Sequence, residues 1–448
     1  MNRTGDLTHG SIPRQVLLFS LPLIASNLLQ VLFNISDLAV IGQFAGSNPL
    51  GSVGSTTKLV ALFTGFLIGM GSGINVLTAR YLGAHDDEDT HDTVHTALVI
   101  CLIMGLFLMA IGLCCAHWML ALLNTKAELI DGAILYLRVY FTGMPACAVF
   151  NFGNAVFSAC GNTRRPLKYL TIAGVLNIIL NLFFVIVCKM DVAGVALASS
   201  ISQYVSAILV LRALCRIDNP CRVNLRHVRL YPHKTRFLLQ LGLPAGFQSS
   251  IFTIANLFIQ TGINSFDATM VSADAAAANA DTIIYDVMNA FYVACSSFIG
   301  QNYGAGNRER VLKSYRFCMF YAFAIGTILG VSSWVFAVPF LHLFTSDAAV
   351  IAAGVRRTAV MGPIYGISSF MDTPIAASRG LGDTLVPTII VILGSCVFRI
   401  IWLYTVFAYF KTYESLYLLY TFSWAITAVA ELLYFRRCRK HTVLPNEK

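Results

Sequence analysis

The second half of this 448-residue chain repeats the first at a nearly constant offset. Gly161-Asn162-Thr163-Arg164-Arg165-Pro166 recurs as Gly382-Asp383-Thr384-Leu385-Val386-Pro387. Gly83-Ala84 after Tyr81 recurs as Gly304-Ala305 after Tyr303, and Leu21-Pro22 recurs as Leu243-Pro244. Each copy is built of long apolar stretches, so the chain must fold as two similar hydrophobic bundles. Duplicated bundles of this kind suit transport, because a moving barrier is readily made from two similar bodies around one central site.

With 57% hydrophobic and only 12% charged residues, the chain has too little polar surface to cover a soluble globule of this size. It belongs in a lipid bilayer. A hydrocarbon core about 30 Å thick needs roughly 20 apolar residues per helix. Twelve such windows start near residues 16, 51, 93, 132, 166, 192, 237, 270, 311, 351, 386 and 414. The expectation is an all-α integral membrane protein with twelve transmembrane helices in two six-helix lobes. Because six is even, both copies enter from the same face, and their pseudo-two-fold runs along the membrane normal. The segment before Val16 is polar and the span that Val16 opens is too long for a signal core, so the first span stays in the mature protein. Most of the twelve cysteines fall within spans without metal or disulfide spacing and read as small packing residues.

The net charge of +9 is a topology signal, not a nucleic-acid signature. Lys and Arg concentrate in alternate connections, including 164–168, 212–236, 308–316 and 436–440, while the intervening ones carry little more than Lys126, Lys189, Arg356, Arg357 and Lys411. The positive-inside rule then places both termini in the cytoplasm of a multi-pass cell-membrane protein. The polar, basic stretch 216–236 divides an N-lobe, 1–215, from a C-lobe, 237–436, with a cytoplasmic tail at 437–448. Gly65, Gly69 and Gly73 form a small-residue face for close helix approach. Gly69-Met70-Gly71-Ser72-Gly73 has no preceding strand and is not a phosphate loop. The run His85-Asp86-Asp87-Glu88-Asp89-Thr90-His91-Asp92 reads as a solvated loop capping the next helix, with a metal site as the minor alternative.

An ionisable group inside a span costs about 2.5–3.5 kcal/mol on insertion scales, so it is a functional candidate and should face a cavity. Asp37 is the strongest. Asn34, Gln30 and Asn27 precede it at three- and four-residue spacing and extend one polar stripe. At about 1.5 Å of rise per residue, Asp37, Asn181 and Ser199 reach similar depths in the outer half of the N-lobe, and Asn177 faces the same way as Asn181. A carboxylate, two amides, a hydroxyl and a freed carbonyl suit a hard monovalent cation such as Na+. The alternative for the two asparagines is interhelical packing. Asn151 and Asn154 add a polar pair on the fourth span, with Tyr136 earlier on the same span. In the C-lobe, Ser249, Thr253, Asn256, Gln260 and Asn264 line span seven without a carboxylate. Asp372 and Arg399 are within reach of each other as a structural or gating ion pair. Asp286 and Lys58 lie either along the cleft or at span boundaries. No metal-binding His pair, nucleotide loop or catalytic triad is present, so the sequence gives no support for an enzyme.

Asp6-Leu7-Thr8 with Gly10-Ser11-Ile12-Pro13, Asn34-Ile35-Ser36-Asp37, Gly194-Val195-Ala196-Leu197-Ala198-Ser199 and Gly300-Gln301-Asn302-Tyr303-Gly304-Ala305-Gly306-Asn307 resemble, in this order and over almost the whole chain, the multidrug and toxic compound extrusion (MATE) family. The resemblance implies antiport without a bound cofactor, in which an entering cation drives an amphipathic, often cationic compound outward. It assigns coupling to Asp37, bending to Pro22, and ion ligation to Asn177, Asn181, the Val195 carbonyl and Ser199. Gln30, Asn151 and Asn154 would line the adjacent pocket. Phe252 stands where the NorM branch has an acidic residue, so the pattern is closer to the DinF-like branch. Asn181 replaces the family's usual aspartate, which removes one negative charge and one proton carrier; the coupling ion is Na+ or H+, with sodium slightly favoured. The partners expected are the small-molecule substrate, a monovalent cation and the bilayer, for a monomeric protein that binds no nucleic acid. The rival is a flippase or exporter of a lipid-linked or metabolic intermediate, which would need a densely basic cleft.

Overall fold

The computed structural model describes residues 5–442, so residues 1–4 and the end of the tail, 443–448, lie outside the described residues. All regular structure among the described residues is helical: α1 (Ile12–Phe44), α2 (Ser47–Gly83), α3 (Asp87–Leu122), α4 (Ala127–Phe141), α5 (Met144–Ala159), α6 (Arg164–Leu182) and α7 (Asp191–Leu214) in the first copy. The second copy comprises α8 (Pro232–Ile263), α9 (Ala268–Gly304), α10 (Arg308–Val335), the short α11 (Ala337–Leu341), α12 (Ala348–Met361), α13 (Tyr365–Gly380), α14 (Leu385–Val391), α15 (Phe398–Trp402), α16 (Ala408–Phe410) and α17 (Tyr413–Thr442). The sequence repeat is also a structural one. Helix starts at Ser47, Asp87, Ala127, Met144 and Arg164 return, at one and the same offset, as Ala268, Arg308, Ala348, Tyr365 and Leu385.

Among the described residues, ten helices are long and apolar enough to cross a membrane. The other two of the twelve expected windows are broken helices. α4 and α5 meet at a 48° bend, where Pro145 lacks the N–H that an unbroken helix would need. α12 and α13 are separated by a 3-10 turn, Gly362–Ile364, that contains Pro363. Large apolar side chains such as Phe107, Trp118, Phe320 and Ile328 remain exposed, the reverse of a soluble surface and the state expected where lipid is the neighbour.

Local chemistry places the helix starts. The Asp86 carboxylate accepts from the Asp89 N–H at 2.9 Å and caps α3, the role expected for the acidic run. No group of three or more metal-ligating side chains occurs among the described residues. The expected small-residue face is used for packing: a Cβ on Gly69 would lie 2.5 Å from the Ala245 carbonyl, and one on Gly73 would lie 2.6 Å from the Gly242 nitrogen.

The chain divides into two compact units. One comprises residues 1–6 and 25–246, the other residues 7–24 and 247–448. The sequence pattern divides the chain at 216–236, whereas this partition also assigns the first half of α1 to the second unit and the first half of α8 to the first. Side-chain bonds account for both assignments. In the first unit, His95 bonds the Asn224 backbone, the Tyr231 N–H donates to the Thr96 hydroxyl at 3.2 Å, and Lys234 pairs with Asp89 at 2.6 Å. In the second, Leu7 N–H donates to Gln301 Oε1 at 2.9 Å, and Arg310 donates to the carbonyls of Leu7 and Gly10 at 3.1 and 2.8 Å.

Candidate cation site

The Asp37 cluster begins with a close helix contact inside the first unit. Gly174 of α6 has no side chain where the Phe33 ring of α1 sits; a Cβ there would meet ring carbons at 1.8–1.9 Å. Asp37 is one turn beyond Phe33, so the same face of α1 carries its carboxylate to α6. Asn177 and Asn181, also one turn apart, are both buried on α6. A π-helical segment, Phe183–Val187, follows immediately; such widened turns recur at functional sites. Ser199 comes from α7.

These four side chains close a ring of hydrogen bonds. Asn181 Nδ2 donates to Asp37 Oδ1 and to Asn177 Oδ1 at 3.2 Å. Asn177 Nδ2 donates to Ser199 Oγ at 3.3 Å, and the Ser199 hydroxyl donates to Asp37 Oδ2 at 3.2 Å. The carboxylate is thus served by two neutral donors with no Lys or Arg bonded to it. Asn181 Oδ1 is buried and has no hydrogen-bond partner, so the ring keeps an oxygen in reserve. Four side chains rich in oxygen and lacking a resident positive charge provide the donor set of a hard cation.

The other expected residues do not join this ring. Tyr136 is buried in an apolar cluster with Val40, Ile41 and Val195, stacks on Tyr140 at 5.8 Å and lies within electrostatic reach of Asp37. Val195 itself is in the continuous helix α7 with its side chain fully buried. Gln30 and Asn34 are exposed on α1 and Asn27 is half-buried. On α8, Asn256 is exposed and Gln260 bonds Asn264 at 3.1 Å. Asn151 turns its amide to the Cys147 carbonyl at 2.9 Å, and Asn154 is half-buried on the same helix. Pro22 lies within the continuous α1. Lys58 is exposed and Asp286 half-buried.

The expected Asp372–Arg399 ion pair is not formed. Arg399 lies on the five-residue α15 between two π-helical segments, Ile392–Val397 and Leu403–Phe407. Its Nε donates to Ser423 Oγ at 3.0 Å while the guanidinium lies over Tyr420 and Phe252. Asp372 Oδ2 is buried without a partner.

Two polar groups of the second unit escape sequence reading. Arg357 of α12 is buried and bonds Asp274 at 2.7 Å and Asp281 through both terminal nitrogens at 3.2 and 2.5 Å, with Tyr417 also donating to Asp274. Glu431 of α17 is fully buried with neither oxygen bonded. The available signal was the spacing of Asp274 and Asp281, two turns apart, which puts two carboxylates on one face of an apolar helix without a nearby basic residue.

The geometry of the cluster suggests a first test. Gly174→Ala should overpack the α1–α6 contact and destabilise the protein by about 1–3 kcal/mol, together with a loss of Asp37-dependent activity. Thermal unfolding of the detergent-solubilised chain measures the first effect; an unchanged midpoint would contradict the contact.

Comparison with known proteins agrees with this architecture. The MatE family model matches residues 22–183 and 244–405, once in each copy. The chain is 27% identical over 389 residues, 86% of its own length and 87% of the relative's, to the probable multidrug resistance protein YpnP of Bacillus subtilis. It is 24% identical to an FAD transporter of Shewanella oneidensis over 77% of each chain. A solved transporter of the MOP superfamily from Pyrococcus furiosus superposes with a TM-score of 0.91 over 100% of this chain and 99% of the other, at 20% identity. With both copies matched and the helical architecture shared, the chain belongs to the MatE family of membrane transporters.

Proposed function

We propose that this protein is a secondary antiporter that exports amphipathic, cationic small molecules from the cell in exchange for a monovalent cation bound at Asp37. The observation that carries the proposal is the closed ring of Asp37, Asn177, Asn181 and Ser199, with a buried oxygen of Asn181 still unbonded. Sodium is the preferred ion, because four side chains offering oxygen are more than a proton requires. The protein resides in the plasma membrane with both termini cytoplasmic, as its distribution of basic residues favours, and acts as a monomer. Its relative's name, a multidrug resistance protein, supports the substrate class.

In the proposed cycle, a cation enters Asp37 from outside, α1 bends near Pro22, and the substrate pocket beside Gln30, Asn151 and Asn154 releases its load outward. Pro22 leaves one carbonyl of α1 without its helical donor, which lowers the cost of bending there. Each net charge carried inward gains about 2.3 kcal/mol per 100 mV, so exchange of one sodium for one monovalent drug draws on the chemical gradient alone.

The relative that transports FAD raises the alternative of an anionic metabolite. A basic pocket would be required, but Arg357 and Arg399 are committed to internal partners. This favours a cationic compound as the exported species. Asn181→Asp tests the coupling reading, because a second carboxylate in the ring should strengthen sodium binding and introduce a second titrating group. Dye efflux from vesicles should change in its sodium or pH dependence; identical dependence on both would mean that Asn181 only packs.

A further inference from the structure

We infer that Glu431, with Asp372 and Arg379 beside it, forms a proton-binding site in the C-terminal unit, distinct from the Asp37 ring. Glu431 is fully buried, and both of its carboxyl oxygens lack a hydrogen-bond partner. A bare carboxylate in such a place is among the costliest arrangements a protein can hold, and neutralisation by a proton is the usual relief. Asp372 Oδ2 and Arg379 Nε, whose side chains act on Glu431, are also buried and unbonded. Three unmet polar groups in reach of one another point to a ligand that comes and goes.

The neighbouring charge selects the ligand. Arg379 is the strongest electrostatic influence on Glu431 after burial, and Asp372 is the next. The neighbouring guanidinium repels a sodium ion at this position, whereas a proton adds no charge beyond cancelling that of the carboxylate. Arg379 is meanwhile occupied elsewhere: its terminal nitrogen donates to Gln248 Oε1 at 2.8 Å, and the Thr388 hydroxyl donates to the same oxygen at 3.0 Å. When the proton leaves Glu431, Arg379 can turn from Gln248 to the carboxylate and balance it. The proton and the guanidinium therefore alternate as partners of one acid.

The remaining groups around the site define its setting. Asp372 and Arg379 face Glu431 from α13, and Asp383 in the turn beyond bonds Tyr434 of α17 itself. Arg399 of α15 acts on Asp372, Cys396 lies beside Arg399, and Arg357 of α12 is held by its own two aspartates. α17 continues the polar face through Tyr417, Tyr420, Ser423 and Thr427, at three- and four-residue spacing. In the first copy the equivalent positions of α7 hold Val195, Ala198, Ile201, Val205 and Leu209, in the place of Tyr417, Tyr420, Ser423, Thr427 and Glu431. The acid and its polar file thus belong to the second copy alone.

Infrared absorption of the full-length protein in liposomes tests this without requiring any export activity, so its outcome is separate from that of the antiport reading. The wild type should show the carbonyl stretch of a buried neutral carboxylic acid at neutral pH. Glu431→Gln should remove that band, Glu431→Asp should restore it at a shifted frequency, and Asp37→Asn should leave it in place. A band that survives Glu431→Gln overturns the proposal, as does its absence from the wild type. In ethidium efflux, Glu431→Gln should also flatten the pH dependence; a pH profile superimposable on the wild type would show that Glu431 carries no proton in transport.

Discussion

Asp37→Asn should abolish ion-driven export while leaving the protein inserted and monodisperse. The amide keeps the shape of the side chain and can still bond Ser199 and Asn181, so the fold of the ring survives. What disappears is the one formal negative charge on which a cation can dock. A loss of at least about tenfold is expected, which corresponds to about 1.4 kcal/mol of differential binding. Dye efflux from sealed vesicles, normalised to protein recovered by size exclusion, is the measurement. Undiminished efflux would remove Asp37 from the coupling step.

Arg357→Met should be the most destabilising single change in the second unit. Arg357 is buried and serves Asp274 and Asp281 together. Its loss strands the buried Asp274 carboxylate and leaves the partly exposed Asp281 without its partner, and breaking a buried pair in this way costs about 3–5 kcal/mol. Arg357→Lys would recover only part, because an ammonium group lacks the fork that grips Asp281 through two nitrogens. The repeat suggests the rescue. At the offset that relates the helix starts of the two copies, Asp274, Asp281 and Arg357 correspond to Val53, Val60 and Tyr136 of the first copy. Replacing all three charged residues by Val, Val and Tyr should restore most of the lost stability, since an apolar cluster is often no worse than a buried ion network. Unfolding midpoints of the three variants in detergent decide this; a triple variant less stable than Arg357→Met would contradict it.

These two sites differ in how far sequence could reveal them. Asp37 stands out because a lone acid interrupts a long apolar window, and depth counted along the helices brings Asn181 and Ser199 to its level. Asn177 follows from one-turn spacing. The Arg357 network stays hidden because its partners lie 83 and 76 residues away on another helix, and Arg357 beside Arg356 reads as a loop charge. Glu431 stands little more than one turn before the basic run that opens at Arg436 and passes for a group at the membrane boundary. The Asp372–Arg399 pairing failed for a different reason. The two groups lie within electrostatic reach of each other, but Arg399, between two π-helical segments, donates to Ser423, and helical periodicity cannot register such a widening. The twelve windows were legible as apolar runs, whereas the breaks at Thr142–Gly143 and Gly362–Ile364 depend on local proline geometry.

Export through Asp37 should be driven by an ion gradient. The most direct test is ethidium movement in liposomes containing only this protein, with a sodium gradient imposed at equal pH on both sides. Ethidium should accumulate against its own gradient on the side from which sodium enters, and an ionophore dissipating the sodium gradient should stop it. Ethidium that merely equalises across the membrane, whichever gradient of sodium or protons is imposed, would contradict the claim.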